Sequence, residues 1–296
     1  MYDLEIIAEP HNLLEAIATK ASHPDALFIA GGTDVLIKVR EGKLSGKPLI
    51  SLHQIPELKG ISIDEAGTLC IKPVTTFSHI TYHPLIKKYL PMLGLAVDQV
   101  GGPQIRNMGT IGGNICNGVT SADSASTLFT YNAQLEIRDR DASKRIIAIQ
   151  DFYKGPGNVD LGPTELLTAI YITKENYEGF AGHYIKYAMR NAMDIATLGC
   201  AVNVKLDATK QIIEEARLAF GVAGPVPMRC PLAEAVVKGQ QLTISGLTAF
   251  SQTALTEVNP RTSWRASKDF RLQLVKELSH RALLEALHLG GGVIHD

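Results

Sequence analysis

Two pairs of adjacent glycines constrain this chain most. AGGTD at residues 30–34 and GTIGGN at residues 109–114 each follow or interrupt strand-like sequence, and each lies beside small hydroxyl residues. Glycine admits positive φ and leaves successive backbone N–H groups uncovered, so such a segment can close on an anion with no side chain in the way. A pyrophosphate suits that description. In the first stretch a helix starting near Asp34 also aims its N-terminal dipole at the bound group, with Thr33 or Asp34 as its cap. One Gly-Gly is more often only a turn. Two in one domain, both beside hydroxyls, point to a dinucleotide site. Neither GxGxxG nor GxxxxGK[ST] is present, which speaks against a nicotinamide Rossmann domain and against a phosphate-loop ATPase.

The surrounding periodicity predicts an α+β chain. A strand from about Leu4 to Ala8, a helix in HNLLEAIATKA carrying Leu13, Leu14 and Ile17, the strand ALFIA, the helix DVLIKVREG and the strand KPLISL make a β-α-β-α-β unit over roughly residues 1–55. From Ile61 the texture changes to strand pairs, ISID and TLCIKP about an EAG turn, and then to a helical stretch through HPLIKKYLPMLGLAVDQV. QLEIRDRDASKRIIAIQ reads as a hairpin whose charged tip, Arg138 to Arg145, is a solvated turn. After the strand LLTAIYIT, the polar stretch ENYEGFAG marks an expected boundary between domains at 1–176 (subdomains about 1–55 and 56–176) and 180–290. Beyond it HYIKYAM, CAVNVKLD and EARLAFGVAG read as strands. The closing SKDFRLQLVKELSHRALLEALHL reads as an amphipathic helix with Phe270, Leu274 and Leu278 in one stripe.

Several function classes are excluded. The formal net charge of -1 offers no broad basic surface for nucleic acid or acidic membranes. Cys70, Cys116, Cys200 and Cys230 have no CxxC or Cys/His spacing, so neither a zinc knuckle nor an iron-sulfur cluster is expected, and they read as reduced thiols. His11, His53, His79 and His183 likewise lack ligand spacing. MYDLEIIAEP lacks the basic start and apolar core of a signal peptide, and no apolar run has the length of a membrane span, so the cytoplasm is the expected compartment. Asn114, Asn117, Thr120, Ser121 and Asp123 suit either local turn capping or the hydroxyls of a ribityl or ribose chain. Asp123, just before the helix STLFTYNA, is placed both to cap that helix and to face a ligand.

LFIAGGTDVL, PQIRNMGTIGGNICNG with SADS, KYAMRNAMDIATLGCAV, FGVAGPVPMR and WRASKDFRLQLV, in that order and almost from end to end, resemble the FAD-binding (medium) subunits of molybdenum hydroxylases, most nearly the bacterial xanthine dehydrogenase type. The resemblance implies a two-subdomain FAD-binding domain of the vanillyl-alcohol oxidase and MurB (PCMH) type, followed by an α+β domain of the carbon monoxide dehydrogenase flavoprotein type. By the family pattern Leu27, Phe28, Ile29, Ala30, Gly31, Gly32, Thr33 and Asp34 wrap the pyrophosphate. Gly109, Thr110, Ile111, Gly112, Gly113 and Asn114 form the second loop, Asp123 meets the sugar-alcohol portion, and Leu166 and Leu167 contact the flavin. Lys186 and Arg190 match a KxxxR spacing beside the flavin and are candidates for tuning it, although two surface cations would give the same spacing. The loop from Arg190 to Ile195 lies where a nicotinamide would enter, and Val100 departs from an aromatic found in some animal relatives.

The resemblance further implies separate partners: a small subunit with [2Fe-2S] clusters and a large molybdopterin subunit, in a dimer of heterotrimers. Electrons from purine hydroxylation would reach FAD in this chain and leave to NAD+. No residue of this chain is assigned to the hydroxylation, and no metal site is expected. Two rivals stand beside that reading. One is a stand-alone MurB-like flavoenzyme, which needs a general acid by the flavin. The other is a flavin subunit of a nicotinate, aldehyde or carbon monoxide hydroxylase with an acceptor other than NAD. Trp264 suits either docking to a partner or packing of the final helix.

Overall fold

The computed structural model describes residues 3–4, 7–141 and 143–294. The chain opens as its periodicity predicts: β1 (Ile7–Ala8), α1 (Leu13–Ser22), β2 (Leu27–Ile29), α2 (Val35–Arg40) and β3 (Leu49–Ser51). The three strands form a parallel sheet in the order β1-β3-β2, so both helices serve as crossovers. The first strand is shorter than expected: Leu4 is outside it, and residues 5 and 6 of the expected strand lie outside the described residues.

A second sheet follows. β4 (Ile61–Ile63) and β5 (Leu69–Ile71) pair across the expected turn. The expected single helix after them is broken into α3 (Phe77–Tyr82), α4 (Pro84–Tyr89) and α5 (Pro91–Asp98), because each proline admits a helix start and no interior. α6 (Pro103–Met108), α7 (Ile111–Cys116) and α8 (Asp123–Thr130) complete the helical layer. β6 (Gln134–Arg138) and β7 (Lys144–Ala148) form the predicted hairpin, whose tip includes residue 142 outside the described residues. After α9 (Ile149–Phe152) and the small pair β8 (Tyr153–Gly155) and β9 (Asn158–Val159), β10 (Leu166–Ile172) takes the centre of an antiparallel sheet ordered β4-β5-β10-β6-β7.

The third sheet is antiparallel, in sequential order: β11 (Phe180–Tyr187), β12 (Leu198–Leu206), β13 (Ile213–Gly221) and β14 (Met228–Arg229). Part of the expected linker ENYEGFAG is thus strand, since β11 begins at Phe180. The period-2 alternation of β12 and β13 builds two different faces. Cys200, Val202, Val204, Leu218 and Phe220 join one core with α10 (Pro231–Val237), α11 (Ile244–Glu257) and α12 (Lys268–Leu289). Ala201 and Ala219, small residues on the opposite face, join the other core with Leu128 and Phe129 of α8.

α8 is held from this third sheet at both ends. At its start Lys186 of β11 reaches Asp123. At its end the carbonyl of Thr130 accepts from Arg217 of β13 at 3.0 Å, and that of Phe129 accepts from Arg229 of β14 at 3.1 Å. Cations at a helix C-terminus satisfy its unpaired carbonyls and oppose its dipole.

α12 carries the expected stripe through Leu274 and Leu278, but Phe270 is 42% exposed and sits edge-on to Tyr187 with ring centroids 5.6 Å apart. Trp264 does not pack under that helix: it is 78% exposed, with the Arg265 guanidinium 4.3 Å from its ring centroid. The loop that bears it is tied down by Arg271 of α12, which is buried and donates to the carbonyls of Thr197, Arg261 and Ala266 and to Ser263 Oγ.

Candidate functional site

The first glycine pair turns the chain from β2 into α2. Gly32 has φ +72°, in the left-handed region that favours glycine, and its carbonyl accepts from the Leu36 N–H at 2.9 Å. Gly31 lies where two chain segments cross: a Cβ there would overlap the carbonyl oxygen of Met108 and lie 3.1 Å from the Gly109 Cα. Among the described residues, the N–H groups of Gly31, Gly32 and Thr33 find no protein acceptor. They are free donors at the head of α2. Asp34 occupies the cap position, but neither it nor Thr33 makes the expected side-chain cap. The Asp34 carboxylate instead accepts from Asn117 Nδ2 at 3.1 Å, and Asn117 Oδ1 accepts from Lys38 Nζ at 3.0 Å.

The second glycine stretch differs from its expectation. It is not an open loop but the start of α7, capped by Thr110, whose Oγ1 accepts from the Gly113 N–H at 3.2 Å. The N–H of Ile111 donates to Thr75 O at 3.1 Å, that of Gly112 to Pro73 O at 2.8 Å, and that of Asn114 to Thr110 O at 3.0 Å. With the donors of Gly109, Ile111, Gly112, Gly113 and Asn114 engaged, and that of Thr110 alone without a protein acceptor among the described residues, this stretch forms a wall more than an anion cradle. Gly112 is glycine because a Cβ would run into Pro73. Thr110→Ala should lower stability by about 1 kcal/mol, the usual cost of a lost N-cap. A urea midpoint identical to that of the parent would mean that the cap contributes nothing.

Between these walls lies a cavity of about 700 Å³. It is lined by Leu27, Phe28, Ala30, Gly31, Gly32, Thr33 and Asp34 from the first segment, and by Gly109, Thr110, Gly112, Gly113, Asn114 and Asp123 from the second, with Leu166 and Leu167 of β10. Asn117 and Ser121 also face it. Thr120 is engaged elsewhere, donating to Gly224 O at 3.2 Å and accepting from the Val222 N–H at 3.1 Å. Ile29, Ile111, Lys186 and Arg190, all expected at the site, are not part of the lining. Ile111 is fully buried in the central core, the price of starting a helix on the inner side of the wall.

Sequence reasoning missed much of the cavity. Pro73, Val74, Phe77 and the Gly101 and Ile105 side of α6 all line it. They are mostly apolar and carry no motif, so only the fold brings them together. Lys38 had a readable signal: it lies one helical turn beyond Asp34, on the face that the free N–H groups also serve. Glu165, directly before Leu166 and Leu167, was passed over as well.

The charges are tightly arranged. Asp123 is the first residue of α8, with Ala122 at the cap, so it does not cap the helix as expected. Its Oδ2 accepts from Lys186 Nζ at 2.7 Å and its Oδ1 from the Tyr184 hydroxyl at 2.8 Å. Burial pushes its carboxyl up, while the Lys186 ammonium and the Tyr184 hydroxyl pull it back. Lys186 also donates to Gln99 O at 2.9 Å. Arg190 is not beside it: its side chain is 68% exposed and bonds within its own loop, to Met193 O at 2.6 Å. Glu165 is gripped by Arg145 through two hydrogen bonds of 2.7 Å, which hold it below the usual carboxylate range. Burial pushes the Cys116 thiol up to about 12.

The chain matches the model of the FAD binding domain in molybdopterin dehydrogenase over residues 3–174 and that of the carbon monoxide dehydrogenase flavoprotein C-terminal domain over residues 183–286. It is 41% identical over 292 residues to a putative xanthine dehydrogenase FAD-binding subunit of Escherichia coli, with 99% of each chain covered. The chain belongs to the FAD-binding subunits of the molybdenum hydroxylases. Another relative of this flavin subunit, the nicotinate dehydrogenase FAD-subunit of Eubacterium barkeri, is 30% identical over 254 residues, covering 84% of each chain. The fold of the present chain matches a chain of the carbon monoxide dehydrogenase of Hydrogenophaga pseudoflava with a TM-score of 0.91 at 25% identity, over 97% of this chain and 99% of that one.

The residues present in the flavin subunit fit FAD. The cavity has the size of a small-molecule site and is mostly apolar, as a planar ring system requires. The free N–H groups of Gly31, Gly32 and Thr33, with Lys38 nearby, suit a diphosphate. No helix among the described residues is long and apolar enough to cross a membrane, and no cluster of three or more possible metal ligands occurs among them.

Proposed function

We propose that this chain is the electron-transferring flavin subunit of a xanthine dehydrogenase-type enzyme, receiving electrons from a [2Fe-2S] subunit and passing them to NAD+. The observation that carries the reading is the full-length 41% identity to the Escherichia coli xanthine dehydrogenase subunit. Bound FAD supplies the conversion of single electrons into a hydride, chemistry that side chains lack. The chain's own residues bind, orient and shield. The Gly31–Thr33 segment and Lys38 would hold the diphosphate, Asp123 would accept from the sugar-alcohol hydroxyls with the Asn114 amide as a donor beside it, and Leu166 and Leu167 would pack on the ring. Division at about residue 176 separates the FAD-binding part from the C-terminal part, and a separate molybdopterin subunit performs the hydroxylation, in an assembly of paired heterotrimers in the cytoplasm.

The acid chemistry of the cavity speaks against a stand-alone reductase of the MurB kind. Glu165 is held ionised by Arg145 and Asp123 is tied to Lys186, so neither is arranged as a free proton donor. The remaining alternative is a related hydroxylase with a different electron acceptor, favoured by the 30% identity to a nicotinate dehydrogenase subunit. Anaerobic NADH added to the FAD-loaded protein distinguishes them, since NADH reduces a flavin whose natural acceptor is NAD+. Bleaching of the flavin bands within seconds is the expected result. Flavin that stays oxidised under excess NADH would overturn the NAD-linked reading and leave the related-hydroxylase one.

A further inference from the structure

Asp123 meets the cavity, while the two groups that bind its carboxylate stand behind it on β11. A carboxylate at a ligand site has two possible chemistries: ionised, it only accepts hydrogen bonds; protonated, it donates one. At 7% exposure the neutral form would be favoured by burial alone. Each oxygen of Asp123 has one protein donor, Tyr184 on Oδ1 and Lys186 on Oδ2, which leaves a lone pair on each for a ligand. Tyr184 is 2% exposed, and among the described residues its hydroxyl has no other partner than Asp123. The Lys186 ammonium is also buried and divides its donors between Asp123 and the carbonyl of Gln99, next to Val100 and Gly101 of the cavity wall.

We propose that Tyr184 and Lys186 are positioning residues of the FAD site, which act through Asp123 by holding it as an ionised acceptor at the cavity wall. The inference rests on the FAD-binding reading of the cavity and assigns these two residues a role behind the lining instead of against the flavin. It also gives the third sheet a direct part in cofactor recognition, since neither residue belongs to the elements that form the cavity's glycine walls. The groups facing the Asp123 carboxylate are Lys186 and Tyr184 from β11; Cys200 of β12, the other titratable group that acts on Tyr184, belongs to the core on the opposite face of the sheet. Asn114, from α7, is turned to Ser124, whose hydroxyl donates to its Oδ1 at 2.7 Å.

The experiment is FAD binding to the refolded apo-protein across pH 6 to 8, by quenching of flavin fluorescence, in the parent, Tyr184→Phe, Lys186→Met and Lys186→Arg. The parent should bind with little pH dependence. Lys186→Met removes the charge that opposes burial, so Asp123 takes up a proton and affinity falls as pH falls, by up to about tenfold per pH unit for one linked proton. Tyr184→Phe should show the same tilt more weakly, and Lys186→Arg should restore the flat profile. If Lys186→Met does not fold, Tyr184→Phe carries the test. A Tyr184→Phe profile parallel to the parent's, or a loss that is equal at every pH, would overturn the positioning role, because a purely structural defect has no reason to titrate. Failure of the parent itself to take up FAD would overturn the cavity assignment beneath it, a result separate from any change among variants.

Discussion

Gly31→Val should yield protein with no bound FAD and a stability lower by about 1–3 kcal/mol, the usual cost of forcing atoms into a packed site. The new Cβ would coincide with the carbonyl oxygen of Met108, and backbone cannot swing aside as a side chain can. The two walls of the cavity touch at this point, so pushing them apart displaces the free N–H groups of the first segment from everything the second wall positions. The loss therefore comes from spreading the walls and not from filling the space of the diphosphate. Flavin absorbance per polypeptide and the urea midpoint together check it. Gly155→Ala is the control: it has open space around the added atom, and should leave both unchanged. Full flavin content in Gly31→Val would remove the crossing from the account of the site.

Arg271→Met should cost about 1–3 kcal/mol for each buried acceptor that it leaves unsatisfied. Arg271 is 2% exposed, and its guanidinium donates to three carbonyls and one hydroxyl, with no carboxylate among them. Burial lowers its pKa, and the nearby Arg261 and Arg265 add to that, while the surrounding oxygen dipoles offset the cost of burying the charge. Without it those acceptors are left dry, and the segment 261–266 loses its tether to α12 and to Thr197. Trypsin should then cut at Arg261 or Arg265 many times faster than in the parent. Arg271→Lys, with one nitrogen in place of three, should fall between. Equal cleavage rates in all three proteins would show that the loop is held by something else.

Much of the architecture was legible because periodicity is a local signal. The opening β-α-β-α-β unit, the β6–β7 hairpin and the long final helix follow from spacing alone. What failed depends on contacts between distant segments. GTIGGN looked like a second copy of AGGTD, yet Pro73 and Thr75 take the N–H groups of Gly112 and Ile111, and Thr110 caps the turn into a helix. Composition cannot distinguish a glycine that frees its amide from one that makes room for a proline. The spacing of Lys186 and Arg190 suggested neighbours, but β11 ends at Tyr187, and the chain beyond it carries Arg190 outward. Phe270 belonged to the apolar stripe by arithmetic and was drawn instead to Tyr187 at the surface. Asp123 was legible as a cavity residue, whereas its partner Tyr184, one of many tyrosines in strand-like sequence, was not.

The double hold on α8 has a consequence for how the protein is made. Lys186, Arg217 and Arg229 all lie C-terminal to the helix they secure, 63, 87 and 100 residues beyond the residues they bind. Domains generally fold as units in the order in which they are synthesised. Here a nascent chain that has emerged only through β10 has both glycine walls but none of the donors that fix the helix between them. Cofactor loading is therefore expected to wait for the third sheet, and a chain truncated near residue 180 should bind FAD more weakly than the whole, its rear wall being unfastened.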